Sequence, residues 1–203
     1  MKSYSDELAP PPIPDSPLTV GAGFGIRFLA RFIDLIYGYV LAFVAMFCGG
    51  IVLAVLSSTG RISEDWVAKI QVTGPLDYLL AIVGYWLYHS FTDGISGTSL
   101  GKLICRLNVV GLDGRPCTLP AAFLRDLAYY VDALFFGLIG YESMKKSSLR
   151  QRYGDVWAKT VVARKADFMP TPKVTTLRLL SGLALGSLAM MAVHLVDLWL
   201  KVR

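Results

Sequence analysis

The longest apolar stretch of the chain runs from Phe28 to Leu56. After Asp34, no charged residue occurs before Arg61. At about 1.5 Å of rise per residue, a helix of this length is more than enough to cross a hydrocarbon core of roughly 30 Å. The pattern therefore predicts a membrane-spanning helix over about 28–56.

Three further apolar stretches predict helices in or on the membrane. The stretch 76–91 is short and rich in aromatic residues, as expected for a helix with ends at both interfaces. The stretch 177–200 is longer and carries a stripe of small residues that permits close helix packing. The stretch 120–141 is weaker, because its apolar part contains Asp132.

The basic segment 142–178 constrains the topology. If the N-terminus is cytoplasmic and 120–141 crosses fully, this segment lies outside, against the positive-inside rule. We therefore favour 120–141 as an interfacial or re-entrant helix. The β-like stretches 103–110 and 157–163 then share the cytoplasmic side and are expected to pair. The predicted fold class is an all-α membrane protein with three to four transmembrane or re-entrant helices and a small cytoplasmic β element.

The polar ends of the chain complete the predicted organisation. Residues 1–22 contain five prolines and few large apolar side chains, which predicts a disordered cytoplasmic tail. A membrane domain is expected over 23–165. The remainder, 166–203, is predicted to be a linker followed by the C-terminal transmembrane helix.

Composition supports a membrane protein and suggests one partner. Hydrophobic residues make up 54% of the chain, and the mean hydropathy is +0.52, too apolar for an ordinary soluble domain. Segment 142–178 carries nine Lys or Arg against three acidic residues. Such a segment is typical of a cytoplasmic surface that binds anionic lipid headgroups. No recognition motif accompanies it, so nucleic-acid binding is not expected.

Charged residues at membrane depth are the candidates for chemistry. Arg27 and Asp34 share one face of the first helix, and Arg31 can pair with Asp34 at i, i+3. Two interpretations remain open: a salt bridge that fixes helix depth and packing, or a carboxylate that binds an ion or proton. The same alternatives apply to Asp132, for which Arg125 or Arg27 is the candidate partner.

Catalytic and metal-binding patterns are not found. The cysteines form no CxxC pair, and the two histidines lie on separate helices. His89 is interpreted as a structural hydrogen-bonder or, alternatively, a proton relay. The string at 97–102 ends in Gly-Lys but lacks the spacing of a phosphate-binding loop. We therefore predict no enzyme activity, no cofactor and no metal.

Several motifs, in order, resemble the RDD family of membrane proteins. They are G23-F-x-x-R-F-L-A-x-x-I-D34, G97-T-S-L-G-K102, V109-V110, D113-G114, R125-D126 with D132, and R150-Q-R-Y-G-D155 with K159-T-V-V162. By this resemblance Arg27, Asp34 and Asp132 correspond to the three residues that name the family. The same resemblance implies two loop motifs, formed by Gly97, Thr98, Gly101 and Lys102 and by Arg150, Gln151 and Asp155.

The resemblance implies two kinds of function. Some family members resemble cation/proton antiporters, and others are accessory components of larger membrane assemblies. We expect a non-catalytic accessory or assembly subunit in a bacterial cytoplasmic (inner) membrane, with a membrane-protein partner or as a homo-oligomer. The alternative is an antiporter or other small transporter working as an oligomer. Two features depart from the family pattern: the extra C-terminal helix, and Asp126, where an amide is more usual.

Overall fold

A computed structural model describes residues 21–63, 65, 74–164 and 175–202. The described chain is mostly helical and contains one two-stranded sheet. Its elements are α1 (Phe24–Ser58), α2 (Pro75–Ser96), α3 (Leu100–Ile104), β1 (Leu107–Gly111), α4 (Leu119–Asp132), α5 (Leu134–Lys146), α6 (Tyr153–Trp157), β2 (Thr160–Arg164) and α7 (Thr176–Val202). Most of the predicted tail and of the linker before α7 lies outside the described residues.

Helix α1 is the longest element and has two unlike parts. Its 35 residues extend for roughly 50 Å. All of its buried residues lie in the first third, at Arg27, Ala30, Arg31 and Asp34. The rest exposes large apolar side chains. By length and composition, α1 and the Thr176–Asp197 part of α7 are suited to cross a membrane.

Helices α2 and α7 pack closely because each presents glycines to the other helix. A Cβ added at Gly186 would lie 2.9 Å from the Tyr88 carbonyl oxygen, and one at Gly182 would lie 3.0 Å from Ser96 Oγ. Further along, Gly84 of α2 lies against Met190. The two helices therefore run antiparallel, and the small-residue stripe is used for packing within the chain.

Helix α2 extends beyond the predicted 76–91. Pro75 starts it, and Gly97 ends it in the left-handed conformation, with φ of 69°. The hydroxyls of Thr92 and Ser96 donate to carbonyl oxygens of the preceding turn, at 2.8 and 2.7 Å. These polar residues lie beyond the predicted apolar stretch, but they are buried and hydrogen-bonded inside the last turns of the helix.

The predicted single helix over 120–141 is wrong. Helix α4 ends at Asp132, and positive φ angles at Phe135, Phe136 and Gly137 (52°, 59° and 85°) reverse the chain direction before α5 continues. A Cβ added at Gly140 would lie 3.1 Å from the Asp132 carbonyl oxygen, so α5 returns alongside the end of α4. The two helices form a hairpin whose tip exposes both phenylalanines.

The hairpin also packs along α2. Trp86 Nε1 donates to the Phe123 carbonyl oxygen at 3.3 Å, and the Tyr130 hydroxyl donates to the Ile82 carbonyl oxygen at 2.8 Å. Helix α4 therefore runs antiparallel to α2 and reaches back from its C-terminal end to about its middle.

The predicted pairing of the two β-like stretches is confirmed. Strands β1 and β2 are antiparallel, in register from Leu107 opposite Arg164 to Gly111 opposite Thr160. The bounds differ, because 103–104 belong to α3 and Trp157 ends α6. Ala22 is buried, and its N–H donates to the Val162 carbonyl oxygen at 2.8 Å. The predicted disordered tail therefore does not extend to residue 22.

The sheet, α3 and α6 lie at one end of the molecule, with the starts of α1 and α7 and the end of α2. A small apolar core fixes this end, formed by Ala22, Ala30, Leu107, Val109, Cys117, Ala122 and Val162. Helix α1 also runs antiparallel to α2, since Ala30 lies against Gly101 just after α2 and Gly38 lies against Tyr85 further back along it. The two membrane-suited helices, α1 and α7, therefore leave this end in the same direction.

Candidate functional site

Ten charged side chains meet at the end of the molecule that holds the sheet; we call them the charged cluster. The cluster comprises Arg27, Arg31, Asp34, Asp93, Lys102, Arg125, Asp126, Asp132, Arg152 and Asp155. Nine of them are buried, and Arg152 is half-buried. Five are cationic and five are carboxylates, so their formal charges cancel. Buried charges persist in proteins when they are paired in this way.

Arg27 joins the start of α1 to the sheet end of the chain. Its Nη1 donates to Asp155 Oδ2 at 2.6 Å. Its other donors reach the carbonyl oxygens of Ala22 at 3.0 Å, Arg150 at 2.9 Å and Val162 at 3.2 Å. One guanidinium therefore holds together α1, α6, β2 and the loop before α6.

Asp34 accepts hydrogen bonds from the loop after α2. The Ser99 hydroxyl donates to Oδ2 at 2.5 Å, and the Gly101 N–H donates to Oδ1 at 2.7 Å. Gly101 can approach α1 only because it lacks a side chain: an added Cβ would lie 2.0 Å from the Ala30 carbonyl oxygen. The predicted partner Arg31 does not pair with Asp34.

Arg31 instead points across to α4. Its Nη2 donates to Asp126 Oδ1 at 2.8 Å, and its guanidinium lies 4.2 Å from the centre of the Tyr129 ring. The prediction of an Arg31–Asp34 pair is therefore wrong, because α4 offers both a carboxylate and an aromatic face to the arginine. Asp126, noted only as a departure from the family pattern, is a member of the charged cluster.

Asp93 near the end of α2 receives two cations. Lys102 Nζ donates to its two oxygens at 2.6 and 2.5 Å, and Arg125 Nη1 donates to Oδ2 at 2.9 Å. Neither Asp93 nor Arg125 was predicted as a site residue, and Arg125 was considered only as a partner for Asp132. The sequence could have indicated Asp93 by its position four residues before Gly97. At that position it lies in the last turn of α2, next to the first loop motif.

The first loop motif, predicted as a loop, is partly helical. Ser99 caps α3 by accepting from the Lys102 N–H at 3.4 Å. Gly97 ends α2, and the Thr98 hydroxyl donates to the Leu107 carbonyl oxygen at 3.1 Å. Gly101 contacts α1, and Lys102 is buried against Asp93. The motif thus connects α2, α1 and β1 through specific contacts.

Asp132 closes the far end of the charged cluster. Its two oxygens accept from the N–H groups of Tyr153 and Gly154, both at 3.2 Å. These N–H groups belong to the first turn of α6 and have no partner within that helix. The predicted pairing of Asp132 with Arg27 or Arg125 is wrong, because both arginines reach other carboxylates.

The second loop motif contributes through backbone and side chain. Gln151 Nε2 donates to the Thr160 carbonyl oxygen at 2.7 Å. The backbone carbonyl oxygen of Gln151 accepts from the Ser143 hydroxyl at 3.1 Å. Arg150 has an exposed side chain but a carbonyl that accepts from Arg27. The motif therefore fastens β2 and α5 to the charged cluster.

Asp155 is surrounded by three arginines. Besides its bond to Arg27, Oδ2 accepts from the Arg152 N–H at 3.2 Å, and Arg125 Nε lies 3.4 Å from Oδ1. Burial opposes ionisation, but the guanidinium groups of Arg27, Arg125 and Arg152 outweigh it and hold the pKa of this carboxyl below its usual range. Asp155 is therefore ionised at neutral pH.

His89 and Cys117 lie beside the charged cluster. His89 is buried between the rings of Tyr85 and Tyr88, and its Nδ1 is 3.9 Å from Asp34 Oδ2, too far for a hydrogen bond.

Burial raises the pKa of the Cys117 thiol to about 12. Within the described residues, no three His, Cys, Asp or Glu side chains are grouped as metal ligands.

The long apolar helices and the charged cluster at their common end define an integral membrane protein. The sequence profile of the RDD family matches residues 21–159, more than half of the chain. The chain therefore belongs to the RDD family. No match to a curated protein or to a solved structure was found. The family match includes all ten residues of the charged cluster and ends before α7.

Proposed function

We propose that this protein is a non-catalytic accessory or assembly subunit of a larger membrane complex. The observation that carries the proposal is the internal pairing of the family residues. Arg27, Asp34 and Asp132 each bond to other parts of the same chain. Groups engaged in this way stabilise a platform, and a stable platform can present the membrane helices to a partner.

The outer part of α1 is the surface that we propose for the partner helix. Beyond Asp34 this helix has no buried residue, and its exposed side chains include Phe43, Phe47 and Ile51. A Cβ added at Gly49 or Gly50 would meet no atom of the chain within 4 Å. Small residues on an exposed membrane helix allow another helix to approach closely.

The direct experiment is purification from native membranes in a mild detergent, with mass measurement and identification of co-purifying proteins. A stoichiometric larger partner is expected. Gly50→Leu should release that partner while the protein still accumulates. The matched control is Gly25→Leu, which is equally open but lies at the polar end of α1. If neither variant changes the composition of the particle, α1 is not the docking surface; if no partner co-purifies, the proposal of an accessory subunit fails.

We propose three membrane crossings, by α1, α2 and α7, with α4 and α5 as a re-entrant hairpin. The end of the molecule with the sheet would face the cytoplasm of a bacterial cell, beneath the inner membrane. This orientation places the exposed cations Lys145, Lys146 and Lys159 inside. A cysteine at position 145, in a background without the native cysteines, should react with a membrane-impermeant maleimide only in inside-out vesicles. Reaction from the periplasmic side would overturn the orientation.

Exposed cations at this end of the molecule are proposed to contact anionic lipid headgroups. Lys145, Lys146, Arg150, Lys159 and Arg164 are exposed at the polar end. Of the other predicted basic residues, Arg152 belongs to the charged cluster, Arg178 is exposed at the start of α7, and Lys165 and Lys173 lie outside the described residues. Reversing Lys145 and Lys146 to Glu should reduce co-purified anionic lipid, whereas the change Arg115→Glu, in the exposed turn after β1, serves as the control.

Transport of a cation in exchange for protons is the second candidate. It is favoured by the fully buried carboxylate of Asp34, which lies near His89 on the neighbouring long helix. The test is ion-driven proton flux in liposomes with Asp132→Asn and, as control, Asp113→Asn in an exposed turn. Loss of flux with normal accumulation of the Asp132 variant would favour transport. Loss of accumulation would assign Asp132 a structural role.

A further inference from the structure

A small cavity lies inside the charged cluster. It offers about 20 Å³ to the centre of a water molecule. A cavity needs roughly 10–15 Å³ by this measure to hold one water. Eight of its twelve lining side chains belong to the charged cluster, five of them cationic and three of them carboxylates. The space is therefore polar and large enough for one water molecule, with little room for a second.

Three buried polar atoms on the lining side chains have no hydrogen-bond partner among the described residues. They are Asp126 Oδ2, Arg125 Nε and Arg152 Nε. Arg125 Nε lies 3.4 Å from Asp155 Oδ1, but its N–H is not directed at that oxygen. Unpaired buried polar groups are uncommon, and bound water is a usual partner for them.

Arg152 is the least satisfied of the three side chains. Within the described residues, no carboxylate lies within 4.0 Å of its guanidinium, which instead lies over the rings of Phe24 (5.7 Å) and Tyr129 (5.8 Å). Every other cation of the charged cluster has a carboxylate partner. The Nε group of Arg152 therefore needs an acceptor that no side chain provides.

We propose that the cavity binds one water molecule, which bridges α4 and the N-cap residue of α6, Arg152. This water accepts hydrogen bonds from the Nε groups of Arg125 and Arg152 and donates one to Asp126 Oδ2. A water has two acceptor and two donor positions, so it satisfies all three atoms at once. A chloride ion would accept from the two arginines but would be repelled by the Asp126 carboxylate, whose oxygen would also stay unpaired. The site thus links the Arg31–Asp126 pair to α6, independently of the function proposed above.

A crystal structure of the full chain, grown in lipid mesophase with sodium bromide, tests the site directly. We expect one density peak within hydrogen-bond distance of Asp126 Oδ2 and at least one of the two Nε atoms, without bromine anomalous signal. An anomalous peak in the cavity would assign an anion instead. A cavity without density, at a resolution that shows other ordered waters, would overturn the proposal.

Two solution measurements test the same site independently. The thermal unfolding midpoint of the protein in detergent should be equal in sodium chloride and in sodium gluconate at the same ionic strength, because water occupies the cavity in both salts. A chloride ion bound in the cavity would instead raise the midpoint as the chloride concentration increases. Val162→Ile adds a methylene to the cavity lining and should lower the midpoint by more than Val161→Ile does. Val161 is equally buried on the same strand but does not line the cavity. Equal losses would mean that displacing the water has no effect.

Discussion

The two parts of helix α1 show opposite relations between polarity and burial. In the first third, two arginines and an aspartate are buried while Phe28 and Phe32 are exposed. In the remaining two thirds no residue is buried, and nearly all side chains are apolar. A soluble protein would place these residues the other way round.

The contrast follows from the solvent around each part. Lipid surrounds the outer part, so exposed apolar side chains there cost nothing, and packing against other helices brings no hydrophobic gain. The first third lies at the sheet end, and its charges have hydrogen-bond partners on α2, α3, α4, α6 and β2. Polar bonds within the chain therefore stabilise this end.

The largest effect is expected from breaking one ion pair of the charged cluster. Arg27→Gln should destabilise the protein by about 3–5 kcal/mol, because the buried carboxylate of Asp155 loses the one guanidinium that is hydrogen-bonded to it. The measurement is accumulation in the membrane and the unfolding midpoint in detergent. Arg115→Gln, with a side chain 85% exposed, is the control and should leave both unchanged.

The double variant Arg27→Gln with Asp155→Asn separates pairing from simple loss of contacts. It should be more stable than Arg27→Gln alone, because the buried carboxylate that lost its hydrogen-bonded guanidinium is removed as well. If the losses of stability in the two single variants add up in the double variant, the Arg27–Asp155 pair does not cause the loss seen in Arg27→Gln. That loss would then come from the hydrogen bonds of Arg27 to backbone carbonyl oxygens.

A smaller loss is expected from adding a methyl group where α3 contacts α1. Gly101→Ala should cost about 1–3 kcal/mol, because the new Cβ overlaps the Ala30 carbonyl oxygen and the backbone must shift. The matched change Gly50→Ala in the outer part of α1 meets open space. It should be neutral or raise the unfolding midpoint, since Ala favours helix. Equal effects of the two changes would contradict the contrast between the two parts.

Acidification should weaken the end of the molecule with the charged cluster. The folded protein holds the pKa of Asp155 below its usual range, so Asp155 contributes stability above the unfolded value of about 4. That contribution is lost as the pH falls through the lower folded value. The unfolding midpoint in detergent, followed from pH 6 to pH 3, should fall less steeply for Asp155→Asn than for the unchanged protein. Parallel curves would show that Asp155 is not responsible.

The smallest effect concerns thiol reactivity and leaves stability unchanged. Burial raises the pKa of Cys117 to about 12, so almost no thiolate forms at pH 8. Cys117 should therefore react with maleimide much more slowly than the half-buried Cys105, compared in single-cysteine variants in detergent. Comparable rates would mean that this end of the molecule opens readily.

The fold was predictable where the signal was local and strong. The long uncharged stretch of α1 and the apolar C-terminal stretch correspond to helices, and the pairing of β1 with β2 followed from placing both on one side. The break in the predicted helix 120–141 was not predictable. Phe135 and Phe136 adopt positive φ angles that their side chains disfavour, so only the packing of α5 against α4 fixes them.

The charged cluster shows the same division. The sequence alone determined that Arg27, Asp34 and Asp132 lie in or near apolar helices, where charges need partners. Only the tertiary structure decided which partners they have, because each candidate arginine had several carboxylates within reach of its long side chain. The physical reason is that an ion pair depends on distances of a few ångströms between distant segments, such as Arg27 and Asp155, and no local pattern along the chain encodes those distances.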